Sequence, residues 1–135
     1  MNKEKQDTFQ GFAVLTDEWG TIKKVLRIHP DFTDIIKPGE SLSTVVEQQS
    51  VQKFLTFLVT LRKQKALYNW DLNVLRNGKI IDLYFIGGLI DGDSLIVASK
   101  STVEAGMLYE EFLRINNEQT DILRATLKQQ AKEQD

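Results

Sequence analysis

Asn77-Gly78 stands between two runs of residues that each alternate apolar and polar side chains. The tightest hairpin turn needs a positive φ at both central positions, and Asn-Gly accepts this at little cost. Upstream, Tyr68, Trp70, Leu72 and Val74 fall on one face of a strand, and Asn69, Asp71 and Asn73 fall on the other. Downstream, Ile81, Leu83 and Phe85 share a face, and Asp82 and Tyr84 take the opposite one. The sequence thus specifies an antiparallel pair with one apolar face, which a helix or a second sheet must cover.

Two more reversals extend the sheet. In "FAVLTDEWGTIKKVLR" an apolar run and a run with alternate charge flank "DEWG". Asp17 starts the turn, Gly20 supplies a positive φ, and Trp19 lies at the tip. Lys23 and Lys24 suit an edge strand. "GGLIDGDS" turns again at Asp91-Gly92, with Gly87 and Gly88 read as turn or strand-end residues. "SLIVAS" follows with apolar residues on both faces, which predicts a strand near the middle of the sheet.

Helical spacing occupies the remaining stretches. In "SVQKFLTFLVTLRKQK", Val51, Phe54, Leu55, Leu58 and Leu61 form a stripe, Ser50 is placed to cap the start, and Lys63 and Lys65 suit the negative end. Asp31 and Ser41 are placed to cap short turns in the segment that holds both prolines. The final stretch from Ser101 is long, charged and free of proline, and Ser101 with Glu104 forms a capping box. At ~1.5 Å per residue it would span roughly 45 Å, so it is expected to project from so small a domain. Its apolar residues fit a heptad with Leu108, Ile115 and Ile122 at d and Phe112, Gln119 and Thr126 at a. Leu123 and Leu127 lie beside that seam, and the a layer turns polar after Phe112.

Composition removes several functions. The chain of 135 residues has no cysteine, one histidine and a formal net charge of -2 with scattered basic residues. Thiolate chemistry is therefore excluded, and no basic stripe marks a nucleic-acid groove. No segment is apolar enough for a membrane span, and "MNKEKQDTFQ" lacks a signal-peptide core, so a cytoplasmic location is expected. "DGD" at 91–93 lacks the carboxylate spacing of a calcium loop, and a lone His29 offers little for a triad. No catalytic residue, metal ligand or enzymatic activity is assigned to this chain.

The order of elements, the "D-x-x-G" hairpin and the "GDSLIVAS" strand together resemble the PAS sensor domain over residues 9–99. "LYEEFLRINNEQTDILRATLKQQ" is similar to the signalling helices that join such domains to histidine-kinase catalytic regions in bacteria. The resemblance implies an α+β fold with a five-stranded antiparallel sheet in the order 2-1-5-4-3 and helices on one face. It divides the chain into a polar segment (1–8), a sensor domain (9–100) and a signalling helix (101–135). It further implies a homodimer through that helix and a downstream kinase, with a cyclic-dinucleotide enzyme or a ligand-free scaffold as the alternative context. Flavin-adduct chemistry needs a cysteine that is missing, and His29 lies outside the longer helix that commonly carries the haem ligand in the family.

Phe54, Phe57, Leu58, Tyr68, Trp70 and Phe85 are the candidate lining of the sensor interior. They either surround a small ligand or fill the space as core, with core packing the preferred reading. Leu108, Phe112, Ile115, Gln119, Ile122 and Thr126 are the candidate dimer and signalling positions.

Overall fold

A computed structural model describes the backbone of residues 9–133 and the side chains of residues 9–117. Five strands, β1 (Gly11–Thr16), β2 (Ile22–Ile28), β3 (Ala66–Arg76), β4 (Lys79–Ile90) and β5 (Asp93–Ser99), form one antiparallel sheet. Their spatial order is β2-β1-β5-β4-β3, the order expected from the resemblance. Helix α1 (Val51–Gln64) crosses between β2 and β3, and α2 (Thr102–Glu133) follows β5.

Local chemistry accounts for the turns. Asp17 Oδ1 accepts hydrogen bonds from the amides of Trp19 and Thr21, both at 2.9 Å, and closes the first hairpin. Gly20 takes a φ of +88°, and a Cβ there would meet Leu58 Cδ1 at 3.2 Å, so glycine also lets the turn rest on α1. Asn77-Gly78 and Asp91-Gly92 both have two consecutive positive φ values, as type I′ turns require.

The caps differ in part from the sequence reading. Ser41 caps the short turn at Leu42–Thr44 as expected. At Pro30–Phe32 the cap is His29, whose Nδ1 accepts from the Asp31 amide at 3.1 Å, and Asp31 itself lies in the first turn. Ser50 occupies the cap position of α1 but makes no capping bond. Its Oγ accepts instead from the Asn73 amide, at 3.3 Å, on the outer edge of β3. The Glu47 amide donates to Asn73 O and the Leu75 amide to Val45 O, which covers that edge over residues 73–75.

The sheet has helices on both faces, which corrects the expectation of one covered face. On the inner face Phe12, Val14, Leu72, Val74, Leu83, Phe85 and Ile96 pack with Phe54, Phe57 and Leu61 of α1. On the outer face Ala13, Ile86, Leu95 and Val97 pack with Phe9 and with Ala105, Leu108 and Tyr109 of α2. The apolar run in β5 serves both: Ile96 and Ala98 point in, and Leu95 and Val97 point out. The first turns of α2 therefore lie on the domain instead of projecting from it.

Gly87 and Gly88 belong neither to a turn nor to a strand end. They sit within β4, with side chains of α1 close against Gly87 and of α2 against Gly88. A Cβ at Gly87 would lie 2.8 Å from Phe57 Cζ and 2.9 Å from Leu61 Cδ2. A Cβ at Gly88 would overlap the Tyr109 hydroxyl on the other face.

Candidate functional site

The inner face is filled by aromatic rings. Phe57 meets Phe85 edge-on at 6.1 Å between centroids, and Trp70 edge-on at 5.5 Å. Phe54 stacks beside Phe57 and meets Phe85, while Phe12 contacts both Phe85 and Phe32. Phe12, Phe54, Phe57 and Phe85 are wholly buried. Edge-to-face packing of this kind satisfies the ring quadrupoles. Five of the six proposed lining residues, Phe54, Phe57, Leu58, Trp70 and Phe85, do meet here, with Trp70 half-buried at the sheet edge.

Tyr68 does not join them. A β-bulge between Leu67 and Trp70 sets Tyr68 and Asn69 together opposite Ile86. Asn69 takes a φ of +60° to make it. The extra residue flips the alternation, so Leu67 points inward and Tyr68 points to the outer face. There its ring meets Tyr109 of α2 edge-on, with centroids 5.5 Å apart. Strict period two, extended back from Val74, places Tyr68 on the wrong side; Asn69, a residue tolerant of positive φ, was the available signal.

This outer contact forms a junction between α2 and the sheet. Tyr109 is almost fully buried, and its hydroxyl lies over Gly88. Burial, then the neighbouring Tyr68 charge and hydrogen bond, then Glu110, push its pKa up to about 12, so the phenol stays protonated. Half of the expected capping box holds the helix start: Ser101 Oγ accepts from the Glu104 amide at 3.3 Å. Ser99 Oγ in turn accepts from the Ser101 amide at 3.2 Å, so the central strand is bonded directly to the cap.

The proposed heptad positions divide. Leu108 is buried against the chain's own sheet, and Phe112 is half-buried beside it, so neither stands on a free helix face. Ile115 is exposed. Gln119, Ile122 and Thr126 lie outside the described side chains. The sequence reading missed that Ala105 and Tyr109 bury with Leu108, because helical periodicity shows an apolar face but not what it meets.

No protein-family model and no curated protein sequence matches the chain. Its fold is similar to a solved structure, the Cronobacter turicensis RpfR quorum-sensing receptor PAS domain in complex with BDSF. The two superpose with a TM-score of 0.57 at 10% identity, over 67% of this chain and 92% of that domain. The chain therefore has a PAS-like fold. Among the described residues no helix is long and apolar enough to cross a membrane.

Proposed function

We propose that this chain is a sensory and dimerisation input module that relays a signal along α2, most simply to a histidine kinase in the cytoplasm. The observation that carries the reading is the junction at Tyr109. The helix leaves the central strand after Ser99, is capped from that strand, and lies on the sheet through Ala105, Leu108 and Tyr109. A change in the twist or separation of β4 and β5 would therefore move the helix as a body, since packed interfaces shift between discrete arrangements. In this reading the homodimer forms further along α2, through Ile115, Gln119, Ile122 and Thr126.

The likeness to a ligand-bound PAS domain supports a small molecule as the input. The packed inner face favours the other source, a partner or a dimer contact acting on a filled core, as in a ligand-free scaffold. A kinase output is distinguished from a cyclic-dinucleotide enzyme by function alone, since both would receive the same helix.

The test is a set of fusions of the 135-residue chain to a histidine-kinase catalytic core, with one to seven residues added at the joint. Autophosphorylation is expected to rise and fall with the period of the heptad. Activity indifferent to joint length, in proteins that remain folded, would refute relay through α2. Mass spectrometry of the natively purified chain separates the two inputs: a retained small molecule supports ligand sensing, and its absence supports the filled-core reading.

A further inference from the structure

Among the described residues nine large apolar side chains are exposed, and four of them, Leu55, Val59, Val103 and Met107, lie on two helix faces on opposite sides of the sheet. The first face is the outer side of α1. Leu55, Leu58 and Val59 form the floor of a groove of about 340 Å³, with Trp19 and Glu18 of the hairpin turn along one wall and Arg62 and Lys63 completing the lining. The turn that carries Trp19 is closed by Asp17 and seated on Leu58 through Gly20, so the ring is held out at 74% exposure by a fixed support. The described part of α1 has three cations, Lys53, Arg62 and Lys63, and no carboxylate. Arg62 Nη2 donates to Gly92 O at 2.9 Å, while its Nε is buried without an acceptor.

The second face is the outer side of α2 at its start. Val103 and Met107 stand exposed at 68% and 70%, beside Gly106, Glu110 and Glu111. A Cβ at Gly106 would meet nothing within 4 Å, so the helix surface there is open to close approach. Glu104, Glu110 and Glu111 outnumber Arg114 on this stretch, and Arg27 lies across a neighbouring depression from Glu104 and Glu111.

The two faces have the same spacing and opposite charge. On α1 the series is Leu55, Val59 four residues on, then Arg62 and Lys63. On α2 it is Val103, Met107 four residues on, then Glu110 and Glu111. Side by side and parallel, Leu55 meets Val103, Val59 meets Met107, and the cation pair meets the carboxylate pair, each helix presenting neighbours on one face. In that register Trp19 would cover the open surface at Gly106.

We propose that the α1 groove of one copy receives the α2 face of a second copy, in a front-to-back contact. The contact is separate from the heptad seam, which lies further along α2, and it does not depend on what α2 signals to. Because the two faces differ and lie on opposite sides of the sheet, one contact leaves both faces open at the ends, and association continues into longer stacks or a ring.

The full chain is tested by sedimentation velocity over a concentration series. Val59→Asp spoils the groove and Met107→Asp spoils the helix face; both side chains are exposed, and circular dichroism verifies that the variants fold. The wild type is expected to grow with concentration beyond the particle that each variant forms alone. Mixed, the two variants are expected to form complexes larger than either forms alone, since each keeps the half that the other lacks. Lys63→Glu is expected to weaken stacking by about tenfold or more, and Glu111→Lys in the same chain to restore it. Raising salt from about 50 mM to about 500 mM is expected to weaken it as well. The proposal is overturned if either variant associates as the wild type does, or if the mixture gives no complex beyond those of its parts.

Discussion

At Gly88 a single missing methylene group decides where the helix lies. The Tyr109 hydroxyl occupies the space that a Cβ would take, so Gly88→Ala must displace Tyr109 or α2. The expected loss is ~1–3 kcal/mol in denaturant unfolding, the range for overpacking a tight site. Tyr109 itself makes stability depend on pH. Its pKa is pushed up to about 12 in the folded chain, against about 10 for a free phenol. The unfolded chain therefore loses this proton first as pH rises. The contribution is whole below about pH 10 and is lost as pH climbs through about 12. Thermal unfolding from pH 9 upward checks it, and Tyr109→Phe should flatten that part of the curve. Asn69 carries the bulge at a φ of +60°, so Asn69→Val should cost ~1–2 kcal/mol, measured in the same way.

Between α1 and the sheet, the energetics rest on ring packing. Phe57 touches Phe54, Trp70 and Phe85 and leans on Gly87. Phe57→Ala should cost roughly 3–5 kcal/mol in chemical denaturation. Trp70→Ala should cost less, because Trp70 is half-buried at an edge strand where solvent reaches the site of the lost ring. Equal losses would show that the edge is as tightly closed as the centre. The two tryptophans also separate optically: Trp19 is exposed and Trp70 is packed, so a soluble quencher should act far more strongly on Trp70→Phe than on Trp19→Phe.

For the whole molecule, the proposed relay depends on α2 beyond the sheet. Gln119 and Thr126 are polar at the a positions of the proposed heptad, where an apolar residue packs better in a two-stranded coil. Replacing both by Ile should tighten the proposed dimer and raise its melting temperature. In a kinase fusion the same change should hold output in one state with or without stimulus, because a coil stabilised in one arrangement no longer exchanges with the other. Phosphorylation measured in both conditions decides; a tighter dimer that still responds would place the relay elsewhere.

The sequence by itself determined the five strands, their three tight reversals and the place of β5 at the sheet centre. Those features are local: Asn77-Gly78, Asp91-Gly92 and Asp17 to Gly20 dictate backbone angles within a few residues, and apolar alternation reports burial on one face or two. Tertiary structure decided what local patterns do not encode. Gly87 and Gly88 looked like turn residues because glycine favours turns, whereas their use here is to admit α1 on one face and Tyr109 on the other. Tyr68 fitted the inner face until the bulge at Asn69 turned it outward. Leu108 fitted a dimer seam equally well, since a helical stripe is the same whether it meets another copy or its own sheet. That choice was made by the outer face of β4 and β5, whose Ile86, Leu95 and Val97 had to be removed from water by the nearest apolar surface, and the helix that begins three residues past the central strand was already in reach.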